Sequence, residues 1–161
     1  MIQRIQTVYL LIIVALMIAT LFLPLTVLQA GESLCSFDAS GISTMLTDQL
    51  ELLYPTWGLF VLTAIIALIS LITIFLYRKR ILQIRLCIFN AILMLGFYGL
   101  YAFYVWTVSK DLGDVDITGK IALTFPFISL ILNYLAIRNI GADEALVRSL
   151  DRLREKDKSI L

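Results

Sequence analysis

The stretch Tyr77–Arg85 reads Tyr-Arg-Lys-Arg-Ile-Leu-Gln-Ile-Arg, with Arg78, Lys79, Arg80 and Arg85 and no acid. It separates two uncharged apolar runs, 57–77 and 86–106, each close to the roughly 20 residues that a membrane-spanning helix needs. So short a connection only reverses the chain, and the two runs are expected as antiparallel neighbours. Positive charge concentrated beside a span marks the cytoplasmic side of a membrane.

Two more runs lie outward from this turn. Residues 5–28 are uncharged. A basic start and a Leu-Gln-Ala end before Gly31 partly fit a cleaved signal, whose apolar core is roughly 7 to 15 residues. The run here is longer, so a retained span is expected. Ala15 and Ala19 form a small-residue pair suited to helix contact, and Pro24 falls near the end of the run, where a kink does little harm. Residues 121–137 form the fourth and shortest run, with Pro126 one turn in. The composition agrees: 60% of 161 residues are hydrophobic and only 16% charged, with mean hydropathy +0.93. A soluble domain has nearer half and a quarter, so lipid must cover the apolar surface.

The formal net charge of +1 hides a segregation. Arg4, the basic turn and the tail residues Arg138, Arg148, Arg152, Arg154, Lys156 and Lys158 fall on one side of four spans, with only Lys110 and Lys120 on the other. The expected fold is an all-α membrane protein, a four-transmembrane-helix antiparallel bundle with both termini cytoplasmic and an amphipathic cytoplasmic C-terminal helix. The transmembrane domain is 1–137, with spans at about 5–28, 57–77, 86–106 and 121–137, and the tail is 138–161. The expected location is a bacterial inner membrane.

The loop 29–56 holds Glu32, Asp38, Asp48 and Glu51 and no cation. Its first half is rich in Gly and Ser. Leu46, Leu50 and Leu53 then recur at helical spacing, which predicts a short amphipathic helix on the outer membrane surface. Tyr54, Pro55 and Trp57 follow as a helix stop and interfacial anchor. In the second outer loop, Asp111, Asp114 and Asp116 lack the spacing and terminal Glu of a calcium loop.

Candidate functional residues are few. There is no histidine, which removes the commonest general base and metal ligand. No charge lies inside a span, where proton- or ion-coupled carriers place one. Thr73, Asn90 and Asn133 each sit four residues inside the cytoplasmic boundary, about 6 Å deep. An Asn90 to Asn133 hydrogen bond between spans three and four is expected there as bundle glue. Span three ends in an aromatic cluster whose simplest reading is an interfacial belt. Gly96 and Gly99, with Tyr101 beside them, are the candidate groove for a lipid or quinone. In the tail, Leu146, Val147, Leu150 and Leu153 form an apolar stripe with Arg148 alongside, and Asp143 reads as an N-cap with Glu144 reaching Arg148. The stripe either lies at the headgroups or docks a partner. Cys35 and Cys87 are expected on opposite sides and free, and no cofactor is expected.

Several phrases carry a family likeness: Met-Ile-Gln-Arg-Ile-Gln-Thr at 1–7, Tyr-Pro-Thr-Trp-Gly at 54–58, Gln-Ile-Arg-Leu-Cys at 83–87, Asn-Tyr-Leu-Ala-Ile-Arg at 133–138, and the tail phrase at 143–154. The chain resembles a family of small four-span bacterial inner-membrane proteins known only as a domain of unknown function. The resemblance implies a Gram-negative inner-membrane protein and supplies no reaction or ligand.

Three functions remain to weigh. A non-catalytic accessory or scaffold subunit, docking on a larger complex of protein export, insertion or envelope biogenesis, needs a charge-free bundle and a distinctive tail. Other inner-membrane proteins and membrane lipids are then the expected partners, self-association stays open, and nucleic acid is not expected. A small oligomeric transporter, channel or lipid-binding protein is the alternative, against which stands the missing polar path. A thiol enzyme would want a Cys-x-x-Cys pair, and the sequence has none.

Overall fold

The computed structural model describes residues 2–44 and 52–160. Its elements are helix α1 (Ile2–Phe22), strands β1 (Thr26–Ala30), β2 (Ser33–Phe37), β3 (Gly41–Thr44) and β4 (Leu52–Pro55), helices α2 (Trp57–Phe75) and α3 (Arg80–Leu112), strand β5 (Asp116–Gly119), a 3-10 turn (Ile121–Thr124) and helix α4 (Phe125–Ile160). All four helices are long and apolar enough to cross a membrane, and the protein is a membrane protein. Around the bundle α1 contacts α2 and α4, and α3 contacts the same two.

The core is apolar, with Leu10, Ile13 and Met17 of α1 meeting Leu59 and Ile66 of α2, Met94 and Phe97 of α3, and Ile140 of α4. The outer surface of the bundle is apolar as well. Val8, Leu11, Leu68, Ile92, Leu95 and Ile131 are all exposed there. A soluble bundle would put charges at such positions, so this outward face is lipid-facing. Inside α2, Thr63, Ser70 and Thr73 donate to the carbonyls of Leu59, Ile66 and Ile69 at 2.7, 2.9 and 2.6 Å. A hydroxyl that bonds its own helix is satisfied without water. At Gly58 an added Cβ would lie 3.3 Å from Tyr104 Oη, so the glycine permits the approach of α2 to α3.

The expected helical bundle is present, and with it a small five-stranded antiparallel sheet that was not expected, of order β4-β3-β2-β1-β5, built from the two loops at one end of the bundle. The first run ends early. Proline lacks an N–H and restricts the residue before it, so α1 stops at Phe22 before Pro24, and residues 26–28, expected in the span, belong to β1. The β1–β2 hairpin turns at Gly31, whose φ of +61° suits a tight two-residue loop. Leu53 lies in β4 instead of the expected surface helix; its companions Leu46 and Leu50 lie outside the described residues.

The inner face of the sheet carries Thr26, Leu28, Cys35, Phe37 and Ile42, all buried. The register pairs Thr26 with Phe37, Leu28 with Cys35 and Phe37 with Ile42. Helix α3 rises into this face. Tyr101 meets the Phe37 ring edge-on at 5.3 Å and shares a hydrogen bond with Thr26 Oγ1. Thr56, just before α2, is buried, and its hydroxyl lies 3.0 Å from the Asp38 carbonyl and 3.1 Å from that of Ala39. The sheet is thus fixed to two helices of the bundle.

Two helix boundaries also differ from expectation. The third span and much of the basic turn are one helix of 33 residues, so Arg80 and Arg85 are helical and the reversal is confined to residues 76–79. The fourth span and the tail form one helix of 36 residues, with Asp143 in its interior instead of at an N-cap. No Gly-Pro break or capping geometry interrupts it after Ile137.

Candidate functional site

The end of the bundle opposite the sheet holds two groups of polar residues. The deeper one is a buried layer between the helices. Asn90 Nδ2 of α3 donates to Ser70 Oγ of α2 at 2.7 Å, and the Ser70 hydroxyl in turn donates to the Ile66 carbonyl. Asn133 Nδ2 of α4 donates to the Cys87 carbonyl of α3, also at 2.7 Å. Gln83 Nε2 of α3 reaches the Thr73 carbonyl of α2 at 3.3 Å. The expected direct bond between Asn90 and Asn133 is absent. Each asparagine instead joins α3 to a different neighbour, Asn90 to α2 and Asn133 to α4. A bond of this kind between membrane helices is worth about 0.6–2 kcal/mol.

The layer is not closed. Gln6 Nε2, Asn90 Oδ1, Ser129 Oγ and Asn133 Oδ1 are buried without a hydrogen-bond partner. Three of these four atoms accept hydrogen bonds and none is charged, so the layer suits binding or packing. Gln6, Gln83 and Ser129 were not singled out from the sequence. Gln6 and Gln83 each stand two residues from an arginine at the end of an apolar run, where a polar side chain reads as facing headgroups, and a lone serine within an apolar run gives no signal.

The second group surrounds the turn from α2 to α3. Arg78, Lys79, Arg80, Ile81, Leu82 and Arg85 line a concavity of about 620 Å³, closed from the other side by Glu144 and Val147 of α4. Arg80 pairs with Asp143 at 3.2 Å. Glu144 is held by Arg148 at 3.1 Å, the pairing expected from their spacing. Asp143 and Glu144 of α4 are therefore each already paired with an arginine. Arg78 leans on the Tyr77 ring, with its guanidinium carbon 5.8 Å from the ring centre. Among the described residues, Arg78, Lys79 and Arg85 form no ion pair.

The other candidates are scattered. Gly96 and Gly99 are exposed on the outward side of α3, with nothing within 4 Å of a Cβ built at either, whereas Tyr101 turns inward to the sheet. The three do not form one groove. Leu146, Leu150 and Leu153 stand 54%, 61% and 64% exposed, with Val147 and Arg148 between them, on the part of α4 that runs past the bundle. Cys35 and Cys87 are free and buried. Burial pushes the Cys35 thiol above its ordinary range, which lowers its thiolate fraction and its reactivity. Among the described residues no three His, Cys, Asp or Glu gather to hold a metal ion.

A family model described as a domain of unknown function (DUF4293) matches residues 2–153. No curated protein matches the chain.

Proposed function

The chain belongs to this family, DUF4293, and from that premise we propose that it is a non-catalytic accessory or scaffold subunit of a larger bacterial inner-membrane complex, one serving protein export, insertion or envelope biogenesis. The observation that supports this reading is the uncovered apolar stripe Leu146, Leu150 and Leu153 on α4. These side chains are carried by the same helix as the fourth span, so a partner bound there is held at a set distance from the membrane. A helix presenting i, i+4 and i+7 anchors fits an apolar groove on another protein.

Both termini are assigned to the cytoplasm. The end of the bundle bearing Arg78, Lys79, Arg80 and Arg85 is the positive one, and cytoplasmic segments carry the excess of Lys and Arg. The sheet then faces the periplasm. A cysteine placed at exposed Asp116 should react with an impermeant maleimide in intact cells, and one placed at Ser159 should react only after lysis. The reverse pattern would invert the assignment.

Docking is tested by mild-detergent purification of the tagged protein at native expression. Leu146→Ser, Leu150→Ser and Leu153→Ser together should release the co-purifying subunits while the protein remains inserted. Partners retained by the triple variant would show that α4 is not the docking element. Transport by an oligomer is the second reading, favoured by the unpartnered Asn90, Ser129 and Asn133 atoms in the bundle. It requires solute flux in liposomes containing this protein alone.

A further inference from the structure

We infer that the basic concavity between the α2–α3 turn and α4 binds the headgroup phosphate of a net-anionic phospholipid. Three features converge on it. The first is charge: Arg78, Lys79, Arg80 and Arg85 line one cavity, and Glu144, the one acid among the described residues that line it, is already taken by Arg148. Arg80 is drawn to Asp143, which leaves Arg78, Lys79 and Arg85 to face an incoming anion.

The second feature is backbone. Helix α3 begins at Arg80, its N-cap Lys79 makes no side-chain cap, and its first turn holds no acid. The leading N–H groups of a helix lack intrahelical acceptors and carry the positive end of the helix dipole. Arg80, Ile81 and Leu82, the first three residues of α3, line the cavity, so these donors lie beside the guanidinium groups. Such a terminus is suited to a phosphate oxygen.

The third feature selects lipid over a soluble phosphate. Ile81 and Leu82 are exposed beside the charges, and Val147 faces them from α4. A free phosphate gains nothing from apolar walls, whereas the glycerol and first methylenes of a phospholipid lie against them. The cavity also sits where α2 and α3 leave their apolar runs, which is the level of the headgroups. Basic pockets at this depth between helices suit anionic lipids. Leu146, Leu150 and Leu153 do not line the cavity, so this inference stands apart from the docking role of α4.

The test titrates the purified full-length protein in nonionic detergent with short-chain phosphatidylglycerol, with phosphatidylcholine of the same chains and with inorganic phosphate. Native mass spectrometry counts the bound lipid. Phosphatidylglycerol should bind about tenfold tighter than phosphatidylcholine, and Arg78→Gln with Arg85→Gln should weaken it about thirtyfold. Arg154→Gln with Lys158→Gln, an equal loss of charge farther along α4, should leave binding unchanged. Val147→Glu places an acid in the cavity without touching the turn and should weaken binding similarly, so the test survives if the double Gln variant fails to fold. Equal binding of the two lipids, or full binding by both Arg78→Gln/Arg85→Gln and Val147→Glu, would overturn the inference. Displacement of the lipid by inorganic phosphate at comparable concentration would overturn the lipid assignment in favour of a soluble anion.

Discussion

Phe37→Ala is expected to destabilise the folded protein by about 3–5 kcal/mol, the usual range for emptying a buried aromatic site. Phe37 is fully buried at the centre of the inner sheet face, between Thr26 and Ile42 on the neighbouring strands. Its ring also meets Tyr101 at 5.3 Å with an interplanar angle of 73°. The truncation therefore removes contact with both sheet and bundle. The loss is read by thermal unfolding in mild detergent. Cys35, buried on the same face, reports where the loss falls, because loosening of the sheet exposes it to maleimide. An unchanged melting temperature together with an unlabelled Cys35 would show that the sheet does not depend on this ring.

Thr56→Val is expected to cost about 1–3 kcal/mol, since it deletes a buried hydroxyl and leaves the buried Ala39 carbonyl and the part-buried Asp38 carbonyl short of a donor. Thr56 occupies the N-cap position of α2 yet makes no side-chain cap there. Its hydroxyl is instead shared between the carbonyls of Asp38 and Ala39, in the turn between β2 and β3. Valine matches threonine in shape, so the change isolates the hydrogen bond from the packing. Thr56→Ser keeps the hydroxyl and should retain most of the stability. If the valine variant melts with the parent, the contact between the sheet turn and α2 contributes nothing, and the hold of Tyr101 on Thr26 and Phe37 suffices.

The four spans were legible because each depends on a local property. A window of uncharged apolar residues near 57–77 or 86–106 reads the same whatever lies elsewhere, and the charges at Arg78, Lys79, Arg80 and Arg85 separate the windows. Asn90 and Asn133 were legible as buried polar residues for the same reason, since an amide inside an apolar run must find a partner. Their partners were not. Ser70 and the Cys87 carbonyl become available only through the rotation of each helix about its axis, which packing decides.

The sheet was hidden for a different reason. Its strands are four or five residues long, too short to display alternation above the turn-rich background of Gly and Ser. Its pairing of β1 with β5 joins residues 26–29 to residues 116–119, a contact that exists only after α2 and α3 have carried the chain out and back. The amino-acid sequence by itself determined the number of spans, the basic reversal and the segregation of charge, because hydropathy and charge act residue by residue. Only the tertiary structure decided the sheet, the union of the last span with the tail and the capture of Arg80 by Asp143. Each of these needs partners far apart in sequence, whose meeting depends on the packing of the whole bundle.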